Sequence, residues 1–102
     1  MWYRDLYASV ELLSEFSEAQ VASMEKWQVD AGAIKRRFQF EWKEFKTLHH
    51  VRLPFKVAER LDWLSQLLAK LPSEIDVNRE YWAEIRSVAR DVLPWMKAGR
   101  AP

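Results

Sequence analysis

Two adjacent histidines are the residues of this 102-residue chain whose type best suits catalysis or metal binding. They are His49 and His50, the only histidines present, and the chain contains no cysteine. Neighbouring side chains on a helix point about 100° apart, so this pair cannot easily share one metal ion. A zinc or di-iron site between helices needs ligands three or four residues apart that converge from several helices. The nearest acidic residue, Glu44, lies five residues before His49, and we therefore predict no metal site and no cofactor.

Other catalytic arrangements are also missing from the sequence. Nucleophilic catalysis by serine requires a histidine and an orienting acid nearby, but the serines here fall mainly at helix starts or on polar faces. The two glycines are too few to build a phosphate-binding loop, and the chain contains no GxSxG, P-loop or GxGxxG motif. We therefore expect a protein that is not an enzyme and has no catalytic residue.

Positive charge is concentrated in one segment of the chain. Residues 1–30 carry six acidic and two basic residues, whereas residues 31–56 carry seven basic and two acidic residues. The basic residues of this segment are Lys35, Arg36, Arg37, Lys43, Lys46, Arg52 and Lys56. On one shared face they would contact an anion or a nucleic-acid backbone, but on a helix they do not all share a face. The alternative is that this basic helix packs beside the acidic first helix, with opposite charges supporting the pairing.

Aromatic residues give the second surface signal. Six tryptophans are several times the usual abundance for this length, and tryptophan is enriched at binding hot spots. Those expected in the core, on or beside apolar stripes, are Trp2, Trp42 and Trp95. Phe40, Trp63 and Trp82 instead lie off the helical stripes of their segments, so we predict that they contact a protein partner or a second copy of the chain. The alternative is a wide apolar face, with Leu67 beside Trp63 and Ala89 beside Trp82.

Glycine and proline divide the chain into four segments that position these residues, with breaks near residues 30–32, 52–54, 72–77 and 94. In three segments apolar residues recur every three or four positions, which predicts helices. These residues are Trp2, Leu6, Val10, Leu13 and Phe16; Val57, Leu61, Leu64, Leu68 and Leu71; and Tyr81, Ile85, Val88, Val92 and Trp95. Within the first segment, Ser17 and Gln20 have the spacing of a capping box, so this segment is one helix or two.

The second segment, residues 33–53, fits either a strand or a helix. A half-buried strand would place Ile34, Arg36, Phe38, Phe40 and Trp42 on one side and Lys35, Arg37, Gln39 and Glu41 on the other. A helical stripe also fits through Ile34, Phe38, Trp42, Phe45 and Leu48. The segment contains no Gly, Pro, Asn, Asp or Ser that could form a hairpin turn, which favours the helix. We therefore predict an all-α fold, a compact antiparallel bundle of about four helices forming a single domain over residues 1–102. The alternative is an α+β fold with a short hairpin around residues 26–42.

One stretch resembles a known family. LLSEFSEAQVASMEKWQVDAGAIKRRFQF, residues 12–40, is similar to the opening of pterin-4a-carbinolamine dehydratases, where a helix leads to a Trp, a tight turn and an alternating strand. The later segment FKVAERLDW resembles a helix of the same family. Family members place a His-His-Pro motif after that helix, whereas His49 and His50 precede it here, so no catalytic residue is carried over. The resemblance implies, as an alternative function, a degenerate dehydratase-like enzyme or scaffold.

Composition sets the class of protein. The apolar fraction of 49% and the charged fraction of 30% are those of an ordinary globular domain. The absence of cysteine suits a reducing compartment, and the charged start at Arg4 and Asp5 does not suit a secretory signal. The longest apolar run, residues 92–96, is far shorter than a membrane span. We expect a cytoplasmic interaction module without membrane contact, such as an adaptor, inhibitor or accessory subunit, with nucleic-acid binding through residues 35–56 as the alternative.

Overall fold

The computed structural model describes residues 4–15, 17–48 and 53–98. Within these ranges the chain forms five helices and no strand: α1 (Arg4–Ser14), α2 (Ser17–Trp27), α3 (Ala31–Leu48), α4 (Phe55–Ala69) and α5 (Glu80–Ala98). The predicted all-α class is therefore confirmed. The number of helices exceeds four because the first segment contains two, and the antiparallel arrangement stays a prediction. His49, His50 and Arg52 lie outside the described residues, as do Trp2 and Phe16.

Helix α3 occupies the segment whose sequence fits both a strand and a helix. Its buried residues are spaced by three or four positions, and they are Ala31, Ile34, Phe38, Trp42 and Phe45. Phe40 is 60% exposed, although strict alternation would place it on the same side as Phe38 and Trp42. The alternative hairpin around residues 26–42 is not found, and neither is the strand that the dehydratase resemblance implies. Helical periodicity buries Phe38, Trp42 and Phe45 together, and no residue within the segment favours a turn.

A short link of three residues follows α2 and turns the chain into α3. Gln28 has a positive φ of 55°, which places it in the left-handed region. The backbone N–H of Gln28 donates to the carbonyl of Glu25 at 3.3 Å, and the N–H of Val29 donates to the carbonyl of Met24 at 3.0 Å. This pair of bonds is the Schellman motif that ends many helices, in which the residues at the positions of Met24 and Val29 commonly make an apolar contact.

The start of α3 is fixed by the next residue of the link. The Oδ1 atom of Asp30 accepts a hydrogen bond from the backbone N–H of Ala33 at 2.7 Å. Asp30 is therefore the N-cap of α3, because its side chain accepts from a first-turn N–H, that of Ala33, which also donates to the backbone carbonyl of Asp30 at 3.1 Å. Both ends of the link are hydrogen-bonded, so the direction of α3 relative to α2 is defined locally.

The helices enclose one apolar core. Helix α1 packs against α3 and α5, and α4 packs against the same two helices. The fully buried side chains include Val10, Leu13, Phe38, Leu61, Leu64, Leu68, Trp82 and Val92. The Cα radius of gyration is 13.1 Å, as expected for a compact chain of about 100 residues. Among the helices that the structure describes, none combines the length and apolarity needed to cross a membrane.

Candidate functional site

Trp82, one of the three predicted surface aromatics, is buried in the core. Its side chain is fully inaccessible, and its ring N–H donates to the Oε1 atom of Gln20 at 2.6 Å. The prediction that Trp82 faces outward is wrong. Of the predicted stripe of α5, Ile85, Val88 and Val92 are buried. Tyr81 and Trp95 at its ends are only partly buried, and Trp82, Ala89 and Met96 widen the buried face. The alternative prediction, a wide apolar face, is therefore the correct one for Trp82.

Gln20 connects α2 to two other helices. Its Nε2 atom donates to the carbonyls of Leu12 at 3.0 Å and Leu13 at 3.4 Å, near the end of α1. Its Oε1 atom accepts the bond from Trp82 on α5. The sequence places Gln20 in a capping box at the start of α2, but its buried amide satisfies carbonyls that the end of α1 leaves unpaired. We therefore assign Gln20 and Trp82 to the scaffold.

Two arginines of α5 donate hydrogen bonds to further backbone carbonyls at the end of α1. The Nε atom of Arg86 donates to the carbonyl of Glu15 at 2.7 Å, and the Nε atom of Arg90 donates to the carbonyl of Ser14 at 3.0 Å. The positive charges complement the negative end of the helix dipole. Arg86 also donates to the carbonyl of Val77 at 3.3 Å, in the segment that precedes α5. Both arginines thus link α5 to the end of α1.

The outer face of α4 is the first candidate site, because two large aromatic side chains lie on it. Phe55 is 78% exposed and Trp63 is 42% exposed. Both line one shallow groove, together with Ala58, Glu59, Asp62 and Gln66. Eight residues separate the two rings in sequence, which corresponds to about 12 Å along the helix axis. The predicted surface position of Trp63 is thus found, whereas its role in binding stays a prediction.

Arg60 restrains the exposed ring of Trp63. The centre of its guanidinium lies 5.4 Å from the centroid of the indole ring, within the range of a cation–π contact. Arg60 itself is half-buried, so the ring has a partly fixed neighbour on its own helix. A tryptophan whose orientation is already restricted loses less conformational freedom when a partner covers it.

Phe55 is a surface residue that the sequence prediction missed. The predicted apolar stripe of its segment begins at Val57 and does not include Phe55. Pro54 is the N-cap of α4, so Phe55 is its first helical residue. Steps of four and three from Phe55 lead to residues of the same groove, Glu59, Asp62 and Gln66. Extending the helical pattern back to the residue after Pro54 would have identified Phe55.

Asp62 connects the α4 face to α3. Its Oδ1 atom accepts a hydrogen bond from the ring N–H of Trp42 at 2.9 Å and one from the Nζ atom of Lys46 at 3.4 Å. The Nζ atom of Lys46 also lies 5.2 Å from the centroid of the Trp42 ring. These contacts hold the two helices side by side. Lys46 therefore belongs to the contact between α3 and α4.

The outward face of α3 is basic and carries Phe40. Arg36, Phe40 and Lys43 follow steps of four and three and are exposed, so they lie on one face, with the exposed Arg37 beside them. Phe40 does not line the α4 groove, so the structure does not unite it with Trp63. This α3 face, defined by these four residues, is the second candidate site.

The structure divides the predicted basic segment among several places. Lys35 is half-buried, Lys46 pairs with Asp62 of α4 at 3.4 Å, and Lys56 lies in the first turn of α4. Within the described ranges, the ion pairs of α3 join Arg36 to Asp30 and Lys46 to Asp62, and none joins α3 to α1. Support of the packing of α3 beside α1 by their opposite charges stays a prediction.

No cluster of at least three histidine, aspartate or glutamate side chains suited to a metal ion occurs in the part of the chain that the structure describes. No protein-family model, curated protein or solved structure matches the chain. Function is therefore inferred from the two exposed faces themselves, on α4 and α3.

Proposed function

We propose that this protein is a non-catalytic interaction module, acting as an adaptor, inhibitor or accessory subunit, and that it binds a protein partner through the outer face of α4. The observation that supports this most is the exposure of Phe55 and Trp63 in one groove. Large aromatic rings bury about 150–250 Å² each and dominate the energetics of many interfaces. A partner that covers both rings would remove this apolar surface from water.

The spacing of the two rings suits a helical partner. Phe55 and Trp63 are about two helical turns apart, and the polar side chains of Glu59, Asp62 and Gln66 lie in the same groove. An amphipathic helix of the partner would place apolar residues against the two rings and polar residues beside the carboxylates and the amide. The centre of such an interface would be Trp63, because hot spots are enriched in tryptophan and in arginine, here Arg60.

Alanine variants of the two anchors test this proposal. A partner is captured from the native cell with the wild-type protein, identified by mass spectrometry, purified and titrated by calorimetry. We expect Trp63→Ala and Phe55→Ala each to weaken the affinity about tenfold or more, as truncation of a hot-spot residue does. Phe40→Ala in the same series measures whether the α3 face contributes to the same interface.

Trp27→Ala is the matched control for these variants. Trp27 is 65% exposed on α2 and does not line the α4 groove, so its truncation is expected to leave the affinity unchanged. Circular dichroism establishes that each variant keeps its helix content. Wild-type affinity in both Trp63→Ala and Phe55→Ala, with the fold intact, would remove the α4 face from the proposal.

Nucleic-acid binding through the α3 face is the second candidate function. The observation that favours it is that Arg36, Arg37 and Lys43 surround an exposed ring, Phe40. Single-stranded nucleic acids bind surfaces that combine basic side chains with aromatic rings on which bases stack. A gel shift at low salt with single-stranded DNA tests it: retardation should weaken as salt rises and disappear in Lys43→Glu. No retardation of the wild-type protein at low salt would discard this candidate.

A further inference from the structure

A groove separate from the α4 face lies between α2, the link after it and the segment between α4 and α5. Its larger apolar lining residues are Val21, Met24, Val29, Ile75 and Val77. Val21 is 36% exposed and Val29 is 40% exposed, so the groove presents aliphatic surface to solvent. None of these residues lines the groove on α4.

The rim of this groove is acidic. Glu25, Asp30 and Asp76 line it, and no basic residue does. The Oδ1 atom of Asp30 lies 3.9 Å from the Nη2 atom of Arg36, and the Oδ2 atom of Asp76 lies 3.7 Å from the Nε atom of Arg79. These ion pairs are exposed and therefore weak, so they leave the rim able to attract a positively charged ligand.

Hydrogen bonds hold the wall that the segment before α5 contributes. The backbone N–H of Asp76 donates to the hydroxyl of Tyr81 at 2.8 Å, and the carboxylate of Asp76 accepts the backbone N–H of Asn78 at 2.9 Å. Arg86 donates to the carbonyl of Val77 from within α5. On the opposite wall, the Schellman turn fixes the backbone that carries Met24 and Val29. A ligand thus meets a surface that is already shaped, which lowers the entropy lost on binding.

We propose that this groove is the docking site for a cationic amphipathic helix of a partner protein. The apolar side of that helix packs on Val21, Met24 and Val29, and its lysine or arginine side chains lie against Glu25 and Asp76. Charge complementarity selects this occupant, because a groove lined by aliphatic side chains and three carboxylates matches a helix with an apolar stripe and cations, and repels an acidic helix. Methionine suits such a floor, since its flexible side chain adapts to different apolar surfaces.

The probe for this site is a synthetic peptide of leucine and lysine, about 18 residues long, whose sequence segregates the two residue types on opposite helical faces. Its affinity is measured by fluorescence anisotropy, and its position by NMR shifts of the labelled protein. We expect binding with shifts centred on Val21, Met24 and Val29. A scrambled peptide of the same composition, which carries the same charge without an apolar face, should bind about tenfold more weakly. Equal affinity for the two peptides, or no binding, would overturn the proposal.

Charge reversals locate the contact. Glu25→Lys should lower the affinity for the amphipathic peptide about tenfold. Glu84→Lys makes the same change of charge at an exposed position of α5 outside the groove and should lower this affinity much less. Equal losses in both variants would mean that only net charge matters and would refute the groove. Concentration-dependent self-association of the wild type, with shifts at the same residues before peptide is added, would identify a second copy as the occupant and would also refute it.

Trp63→Ala separates this site from the α4 face. The variant lacks an anchor of the α4 groove, so the affinity of the peptide for it should equal that for the wild type. A loss of affinity in Trp63→Ala would show that the peptide binds α4, and would overturn the groove without affecting the α4 proposal. If Trp63→Ala keeps the wild-type affinity for both the peptide and the natural partner, the proposal for the groove stands and the proposal for the α4 face is rejected.

Discussion

Asp30 acts on two structures at once. Its carboxylate caps α3 through the backbone N–H of Ala33 at 2.7 Å, and the same side chain lines the acidic groove. The capping bond needs an oxygen acceptor in this position but does not need a negative charge. Two substitutions can therefore separate the structural contribution of Asp30 from its electrostatic one.

Removal of the cap should lower the stability of the protein. We expect Asp30→Ala to reduce the free energy of unfolding by about 1 kcal/mol, because the N–H of Ala33 loses the shorter of its two hydrogen bonds and alanine is a poor N-cap. Urea unfolding followed by circular dichroism measures this change. A free energy of unfolding equal to that of the wild type would show that solvent satisfies the start of α3 equally well.

Asp30→Asn is the control for this prediction. Asparagine caps helices about as well as aspartate and carries no charge. It should keep most of the stability that Asp30→Ala loses, apart from the small favourable interaction of a negative charge with the N-terminal end of α3. In the groove, Asp30→Asn should instead remove one negative charge and lower the affinity for a cationic peptide. Equal stability of Asp30→Asn and Asp30→Ala, or wild-type peptide affinity in Asp30→Asn, would contradict this division of roles.

Helix α3 shows what a sequence pattern can decide. Ile34, Phe38, Trp42 and Phe45 lie on one helical face and are all buried. The competing alternation depends on Phe40, which lies among the exposed residues of the helix. A segment without turn residues can extend but cannot fold back on itself, so the choice between the two patterns was available from the sequence.

Helix α5 shows what the pattern could not decide. Trp82 widens the buried face beyond the predicted stripe, and its ring N–H is acceptable in the core only because Gln20 accepts its hydrogen bond. The two residues lie 62 positions apart. Periodicity within α5 contains no information about an acceptor on α2, so the sequence favoured a position for Trp82 at the edge of the helix. Phe55 was missed for a different reason, since it precedes the first residue of its stripe.

At the scale of the whole molecule, the bond between Gln20 and Trp82 joins the beginning of the chain to its end. The amide of Gln20 also holds the last turn of α1, while Arg86 and Arg90 reach the same region from α5. Among the described residues, no buried side-chain nitrogen or oxygen lacks a hydrogen-bond partner. These groups form one connected polar network beside the apolar core, and the loss of one member leaves its partner buried without a bond.

Removal of either partner of the bond between Gln20 and Trp82 should therefore lower the free energy of unfolding. We expect Gln20→Leu to lower the free energy of unfolding by about 1–3 kcal/mol, because the ring N–H of Trp82 and the carbonyls of α1 lose their partner. Trp82→Phe removes the donor and leaves the Oε1 atom of Gln20 unsatisfied, and it should cost at least as much because ring volume is also lost. Both values are measured by urea unfolding.

The double variant tests whether the two residues act as a pair. With both changes made, neither the ring N–H nor the amide is left unpaired in the core. The combined loss should be smaller than the sum of the single losses by more than about 0.5 kcal/mol, the limit within which independent sites add. Additive losses would show that the two side chains contribute separately.

Met24 and Val29 end α2 through their backbone hydrogen bond, and their side chains form part of the floor of the acidic groove. A molecule that occupies the groove thus binds the folded chain and finds no equivalent site on the unfolded one. Its binding free energy is added to the stability of the fold by mass action. Cellular proteases remove unfolded copies continuously, so the survival time of this protein would rise and fall with the abundance of its docking partner.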